Sequence, residues 1–170
     1  MRLFIAVLPD ERTRDALVEA QDRMWDAGLR GNYDIRSNLH ITLAYIGEYP
    51  DPGEILDLLE EVQKERFTLA LQGIGAFRKL YWCGVKDSDA LQILTADIRH
   101  RLADAGIPFD RKKFIPHITL LRKAWSECND PFPDIVIPEA SWTVDRISLM
   151  KSERTKQGMV YTETGHIPLI

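Results

Sequence analysis

The tetrapeptide His-Ile-Thr-Leu occurs twice in this chain, at His40–Leu43 and at His117–Leu120, 117 − 40 = 77 residues apart. At the same offset Arg2-Leu3-Phe4-Ile5-Ala6 lines up with Lys79-Leu80-Tyr81-Trp82-Cys83, Asp10 with Asp87, and Leu17 with Leu94. Asp26-Ala27-Gly28-Leu29 resembles Asp104-Ala105-Gly106-Ile107 one residue further on. Weak matches gathered at nearly one offset point to an internal duplication rather than to chance likeness between two βα units. The chain of 170 residues is the size of one domain. The expected organisation is a single domain over 1–170 whose halves are approximately 1–76 and 77–170.

The periodicity fills in this frame. Leu3 to Leu8 is a compact apolar run and reads as a buried strand. Asp10 caps a helix in which Leu17, Ala20, Met24 and Ala27 recur at helical spacing until Gly28 ends it. His40 to Ile46 is a strand, Pro50 to Gly53 a turn, and a short acidic helix carries Ile55, Leu58, Leu59 and Val62. Phe67 to Leu71 and Leu80 to Val85 are strands. The second long helix carries Leu91, Leu94, Ile98 and Leu102 and ends near Gly106-Ile107-Pro108. His117 to Leu121 is again a strand, and Asn129 to Pro138, with three prolines, is a loop. Trp142 to Met150 and Met159 to Ile167 are the last two strands, joined by the polar turn Ser152 to Gly158. The fold class is α+β: a duplicated, two-lobed fold with pseudo-twofold symmetry, its antiparallel sheets lining a central cleft and its helices packed outside.

Strand alternation puts His40, Thr42 and Ala44 on one face and Ile41, Leu43 and Tyr45 on the core side. The same parity groups His117, Thr119 and Leu121 against Ile118 and Leu120. Each motif thus presents an imidazole and a hydroxyl together, and two such pairs facing one cleft suit an anion with several oxygens. A neutral imidazole can take a proton from an attacking water while a protonated partner gives one to the leaving oxygen. Threonine hydroxyls can donate to phosphoryl oxygens, and a nearby arginine can stabilise the charge growing there. Neither motif places Asp, Glu or a second His at metal-ligand spacing, so neither a metal nor a cofactor is expected. Of the other histidines, His100 lies between Arg99 and Arg101 on a solvated helix face, and His166 is structural or exposed.

Composition narrows the class. A net charge of −4 argues against a strongly basic nucleic-acid coat while allowing a local basic patch. Cys83 and Cys128 have no metal-ligand spacing and suit a reduced compartment. No apolar run is long enough to cross a membrane, and Leu3 to Leu8 is too short for a signal-peptide core. A cytoplasmic monomer is expected.

The paired motifs and their flanks resemble the two-histidine (2H) phosphoesterase superfamily, and within it the RNA 2′,3′-cyclic phosphodiesterases, also called 2′-5′ RNA ligases. The resemblance runs along Arg2–Ala6, Asn38–Leu43, Ile46-Gly47-Glu48, Tyr81–Val85, Phe114–Arg122 and Ser148–Ser152, then Gly158 and Tyr161. It implies His40 as the proton donor to the leaving group and His117 as the base that activates water. It also implies that Thr42 and Thr119 hold phosphoryl oxygens and that Arg122 stabilises the transition state. Arg122 stands five residues after His117, on the wrong parity for the cleft unless a bulge near Leu121 turns it in. The implied reaction opens a 2′,3′-cyclic phosphate to a 2′-phosphomonoester, with reversible 2′-5′ joining of RNA ends by the same pair. A phosphodiesterase for a small nucleotide (a cyclic ADP-ribose phosphate or a 2′-5′ oligonucleotide) and a non-catalytic RNA-binding module are the alternatives. Retention of both His, both Thr and Arg122 argues against the last. Arg78-Lys79, Arg111–Lys113, Arg122-Lys123 and Lys151–Lys156 could form a basic rim for the RNA backbone. Tyr45, Trp82, Phe114, Trp125 and Tyr161 are candidates for stacking on a terminal base.

Overall fold

A computed structural model describes residues 1–128 and 134–170, so the first part of the expected proline-rich loop, residues 129–133, lies outside the described residues. Strand β1 (Arg2–Val7) is apolar on both faces because both are covered. Leu3, Ile5 and Val7 enter the main core, while Phe4 and Ala6 join a small cluster with Met150 on the opposite face. Helix α1 (Glu11–Asp26) starts where the Asp10 side chain accepts a hydrogen bond from the Thr13 amide. It ends ahead of Gly28, whose φ of +93° suits glycine. Strand β3 (Ile41–Glu48) follows β2 (Leu29–Tyr33) and one 3-10 turn at Arg36–Asn38. The Pro50–Gly53 turn supplies Asp51, which caps α2 (Pro52–Glu60). Then come β4 (Phe67–Phe77), β5 (Leu80–Val85), α3 (Asp89–Asp104), β6 (Ile118–Ser126), β7 (Ser141–Val144), β8 (Arg146–Thr155) and β9 (Gly158–Pro168).

Several boundaries differ from the sequence reading, each for a tertiary reason. β2 is absent from that reading, because Gly31-Asn32 breaks its apolar alternation; pairing with β6 makes it a strand. β4 runs on past Leu71 through two glycines, and Gly75 is needed there because the Trp82 ring lies over it, with a Cβ meeting the ring at 2.2 Å. Trp142–Met150 is not one strand. It breaks at Asp145, where β7 turns to pair with β4 and β8 to pair with β1. The turn expected over Ser152–Gly158 contracts to Lys156-Gln157, since Glu153, Arg154 and Thr155 pair with Val160, Met159 and Gly158.

All pairings are antiparallel, and the strands lie in the order β7-β4-β5-β6-β3-β1-β8-β9, with β2 alongside β6. The two lobes therefore share one sheet. Its middle is the seam between β3 and β6, and the order outward is matched on both sides: β1 and β5, β8 and β4, β9 and β7. Among the described residues a single register pair, Ile41 with Ile118, joins the seam. Beyond it β6 pairs with β2 instead, and the Asp110 amide donates to the Tyr45 carbonyl beside β3. The strands thus part on either side of one contact, which leaves a cleft on the face away from the helices. α1 packs on β6 and β2, α3 on β3, and α2 on α3 and the β8–β9 hairpin. The core beneath the seam includes Ile41, Leu43, Ile118, Leu120 and Leu121, all fully buried.

Candidate active site

The single seam pair sets the site. Antiparallel register about Ile41 and Ile118 puts His40 opposite Thr119 and Thr42 opposite His117. The four polar residues of the repeated motif thus converge where the halves meet. The two imidazoles are anchored alike: His40 Nδ1 lies 2.6 Å from the Asn38 carbonyl and His117 Nδ1 lies 2.7 Å from the Ile115 carbonyl. A carbonyl can only accept, so Nδ1 carries the proton in both rings and Nε2 is the nitrogen left for chemistry. His40 Nε2 is 2.8 Å from Thr42 Oγ1. His117 Nε2 has no protein partner among the described residues.

Bulges decide what else faces the cleft. On β3, Ile5 pairs with Ala44 and Ala6 with Thr42, leaving Leu43 as the extra residue. On β6, Trp82 pairs with Thr119 and Tyr81 with Leu121, leaving Leu120 extra. Both bulges fall on the leucine of the repeated tetrapeptide, and each reverses the alternation that follows. Ala44, expected on the cleft side, is therefore fully buried, and Tyr45, expected in the core, is 43% exposed and lines the cleft with Thr42 and His117. Leu121, expected beside Thr119, is likewise buried, and Arg122 lines the groove on the other side. The parity conflict at Arg122 is resolved one residue earlier than expected, at Leu120. Since 45 + 77 = 122, Tyr45 and Arg122 occupy matched positions.

Each bulge carbonyl is held by a helix from the other half. Arg99 of α3 donates from Nε to the Leu43 carbonyl at 2.9 Å. Gln21 of α1 donates from Nε2 to the Leu120 carbonyl at 3.0 Å and to the Asp34 carbonyl at 2.8 Å. The Asp34 carboxylate in turn accepts from Arg122 Nε at 3.0 Å and Nη2 at 3.4 Å, which fixes the guanidinium and leaves Nη1 for a ligand. Burial pushes the Asp34 carboxyl up, against the pull of Arg122. Asn38 ties the β8–β9 hairpin to this wall, donating to the Met159 carbonyl at 2.8 Å and accepting from the Tyr161 amide at 3.3 Å. Asp34 and Gln21 are not singled out by the sequence, and Asn38 enters only as the first residue of the stretch Asn38–Leu43. The only signal is that Gln21 and Arg99 lie at the shifted offset, 99 − 21 = 78.

The two histidines have different surroundings. His40 sits between the rings of Phe4 at 4.8 Å and Tyr161 at 5.2 Å. Burial lowers its pKa to about 4; the Asn38 carbonyl opposes the shift, while Arg122, His117 and Arg14 add to it. His117 lies against Phe77 at 5.3 Å and Trp82 at 5.9 Å. On its side a groove of about 190 Å³ is walled by Tyr45, Phe77 and Phe114, with Lys112 and Lys113 at its edge. On the His40 side a larger groove of about 530 Å³ runs past Arg122, Tyr161 and the hairpin tip. Of the expected stacking residues, Tyr45 and Phe114 line the first groove, Tyr161 packs on His40, Trp82 packs under His117, and Trp125 lines neither groove. His100 pairs with Asp104 and His166 with Glu163, outside this constellation. Among the described residues no three His, Cys, Asp or Glu side chains converge as metal ligands, and no helix is long and apolar enough to cross a membrane.

Comparisons with known proteins agree on kinship. The family model of the 2′-5′ RNA ligase superfamily matches residues 11–156. An RNA 2′,3′-cyclic phosphodiesterase of Thermotoga maritima is 28% identical over 173 residues, which cover 95% of this chain and 91% of that protein. A crystal structure of a Thermus thermophilus protein superposes with a TM-score of 0.84 at 29% identity, covering 99% of this chain and 98% of that one. The Escherichia coli LigT structure complexed with 3′-AMP gives a TM-score of 0.82 at 27% identity, with 99% and 97% covered.

Proposed function

The chain belongs to the 2′-5′ RNA ligase superfamily, and from that premise we propose that it is a metal-independent hydrolase opening 2′,3′-cyclic phosphate ends of RNA to 2′-phosphomonoesters. The observation that carries this reading is the pair of Nδ1-anchored imidazoles, each beside a threonine, on either side of the one seam contact. On this reading both His-Thr pairs lie in one domain over 1–170, in a cytoplasmic monomer, with the repeat halves, about 1–76 and 77–170, each contributing one pair.

In this mechanism His117 Nε2 takes a proton from water as its oxygen attacks phosphorus. His40 Nε2–H protonates O3′ as the P–O3′ bond breaks, leaving the phosphate on O2′. Thr42 and Thr119 donate to the non-bridging oxygens, and Arg122, steadied by Asp34, stabilises the charge that grows there. In the free protein His40 is neutral at pH 7, given its pKa of about 4. The anionic phosphate brings that value up to about the working pH. A unit negative charge about 4 Å away is worth about 4 kcal/mol at an effective dielectric of about 20, or about 3 pKa units. The substrate therefore loads its own acid. With a 5′-hydroxyl in place of water as the nucleophile, the same step joins RNA ends through a 2′-5′ linkage, and run backwards it breaks that linkage to a 2′,3′-cyclic phosphate and a 5′-hydroxyl.

The test is incubation with a nucleoside 2′,3′-cyclic phosphate in EDTA, followed by identification of the monoester. The 2′-phosphate is expected. Formation of the 3′-phosphate, or turnover only after metal is added, would overturn the mechanism.

A further inference from the structure

We infer that the groove between the β2–β6 ribbon and the β8–β9 hairpin carries the RNA chain running 5′ from the nucleotide that bears the cyclic phosphate. This rests on the function proposed above and adds a direction to it. The ribose dictates that direction. O3′ leaves at His40, and C3′ adjoins C4′, from which the C5′ branch continues into the rest of the RNA. The chain must therefore depart on the His40 side. Asn38 and Tyr161, the neighbours of His40, line the hairpin groove. The base hangs from C1′, next to C2′ and away from the departing oxygen, which leaves it the aromatic groove of Tyr45 and Phe114.

The charges in the hairpin groove fit a phosphodiester backbone. Lys123, Arg154 and Lys156 line it, and among the described residues none of them has an ion-pair partner. The one carboxylate in the wall, Asp34, is engaged by Arg122, and the neighbouring Lys151 is held outside the groove by Glu153 at 2.8 Å. In a chain whose 26 acidic residues outnumber its 22 basic ones, three unpaired cations in one concavity run against the average. Lys123 also holds a left-handed backbone, φ +53°, which non-glycine residues adopt at a cost and mostly where surrounding contacts fix it. Gly31 opposite makes this possible, since a Cβ there would meet the Arg122 and Lys123 carbonyls at 2.6 and 2.8 Å. The turn keeps Lys123 in the same groove as Arg122, where plain alternation would send adjacent residues to opposite faces.

The test compares wild type with the triple variant Lys123→Gln, Arg154→Gln, Lys156→Gln on two substrates: a nucleoside 2′,3′-cyclic phosphate and a short RNA oligomer ending in the same group. The ratio of kcat/KM for oligomer to that for mononucleotide should fall on the order of tenfold or more at low salt, through KM. Three lost phosphate contacts should also flatten the slope of log affinity against log salt by about 2, at about 0.7 per contact on a single strand. An unchanged ratio and slope would overturn the inference. Binding of the oligomer carrying a terminal 2′-phosphate, measured by fluorescence anisotropy, keeps the two readings separate. If wild type turns over neither substrate, the proposed function fails while the binding comparison still decides on the groove.

Discussion

At the residue scale the proposed chemistry turns on His40. Its Nδ1–H is held by a carbonyl, its ring lies between Phe4 and Tyr161, and its pKa in the free protein is about 4. A proton donor with so low a pKa is inactive at neutral pH unless binding an anion raises it. The sign follows from linkage: a ligand that raises the pKa binds together with a proton, so between the free and bound values its affinity weakens as pH rises. NMR titration of the His40 ring should therefore give a value near 4 in the free protein and about 3 units higher with inorganic phosphate, from the Coulomb magnitude above. A His40 value that does not move on phosphate binding would remove it from the role of acid. Which histidine is acid and which base is not written in the repeated tetrapeptide, whose two copies are identical. The assignment proposed here follows the family resemblance, while the fold sets His40 apart by its burial and by the cations of Arg122 and Arg14.

At the element scale the bulges at Leu43 and Leu120 do the aiming. Without them Tyr45 and Arg122 would point into the core. Gln21 should therefore matter although it touches no substrate. Its amide supports both the carbonyl of the β6 bulge and that of Asp34, the residue that steadies Arg122. Gln21→Met keeps the volume but takes a donor from the Asp34 carbonyl and leaves the Leu120 carbonyl with the Asp34 amide alone, at 3.0 Å, and should cost about 1 kcal/mol of stability. It should also lower kcat on the order of tenfold while changing KM much less, if Arg122 acts mainly in the transition state as proposed. Equal destabilisation with an unchanged kcat would show that the bulge does not aim Arg122. Part of this level is legible in the sequence. The apolar runs of β1 and β5 and the cap at Asp10 locate those elements, because burial and capping are local in their residue requirements. β2, the break at Asp145 and the position of each bulge are not legible, since they depend on which strand lies alongside. The repeat does hold the bulge positions, but only as two leucines at one offset.

At the scale of the whole molecule, a sheet matched about one seam places a His-Thr pair from each half at a common point. His40, Thr42, His117 and Thr119 can be picked from sequence because duplication marks them; Asp34 and Gln21 cannot, because nothing in their local pattern sets them apart. The central claim is that the two halves form one acid–base pair, not two separate sites. A double-mutant cycle on turnover of a nucleoside 2′,3′-cyclic phosphate in EDTA tests it most directly. His40→Ala and His117→Ala should each lower kcat by about 10²–10⁴-fold or more, the range for a lost proton transfer. If they serve one step, the double variant should be hardly slower than the slower single one. Losses that simply multiply, or a near-normal rate in either single variant, would contradict the account.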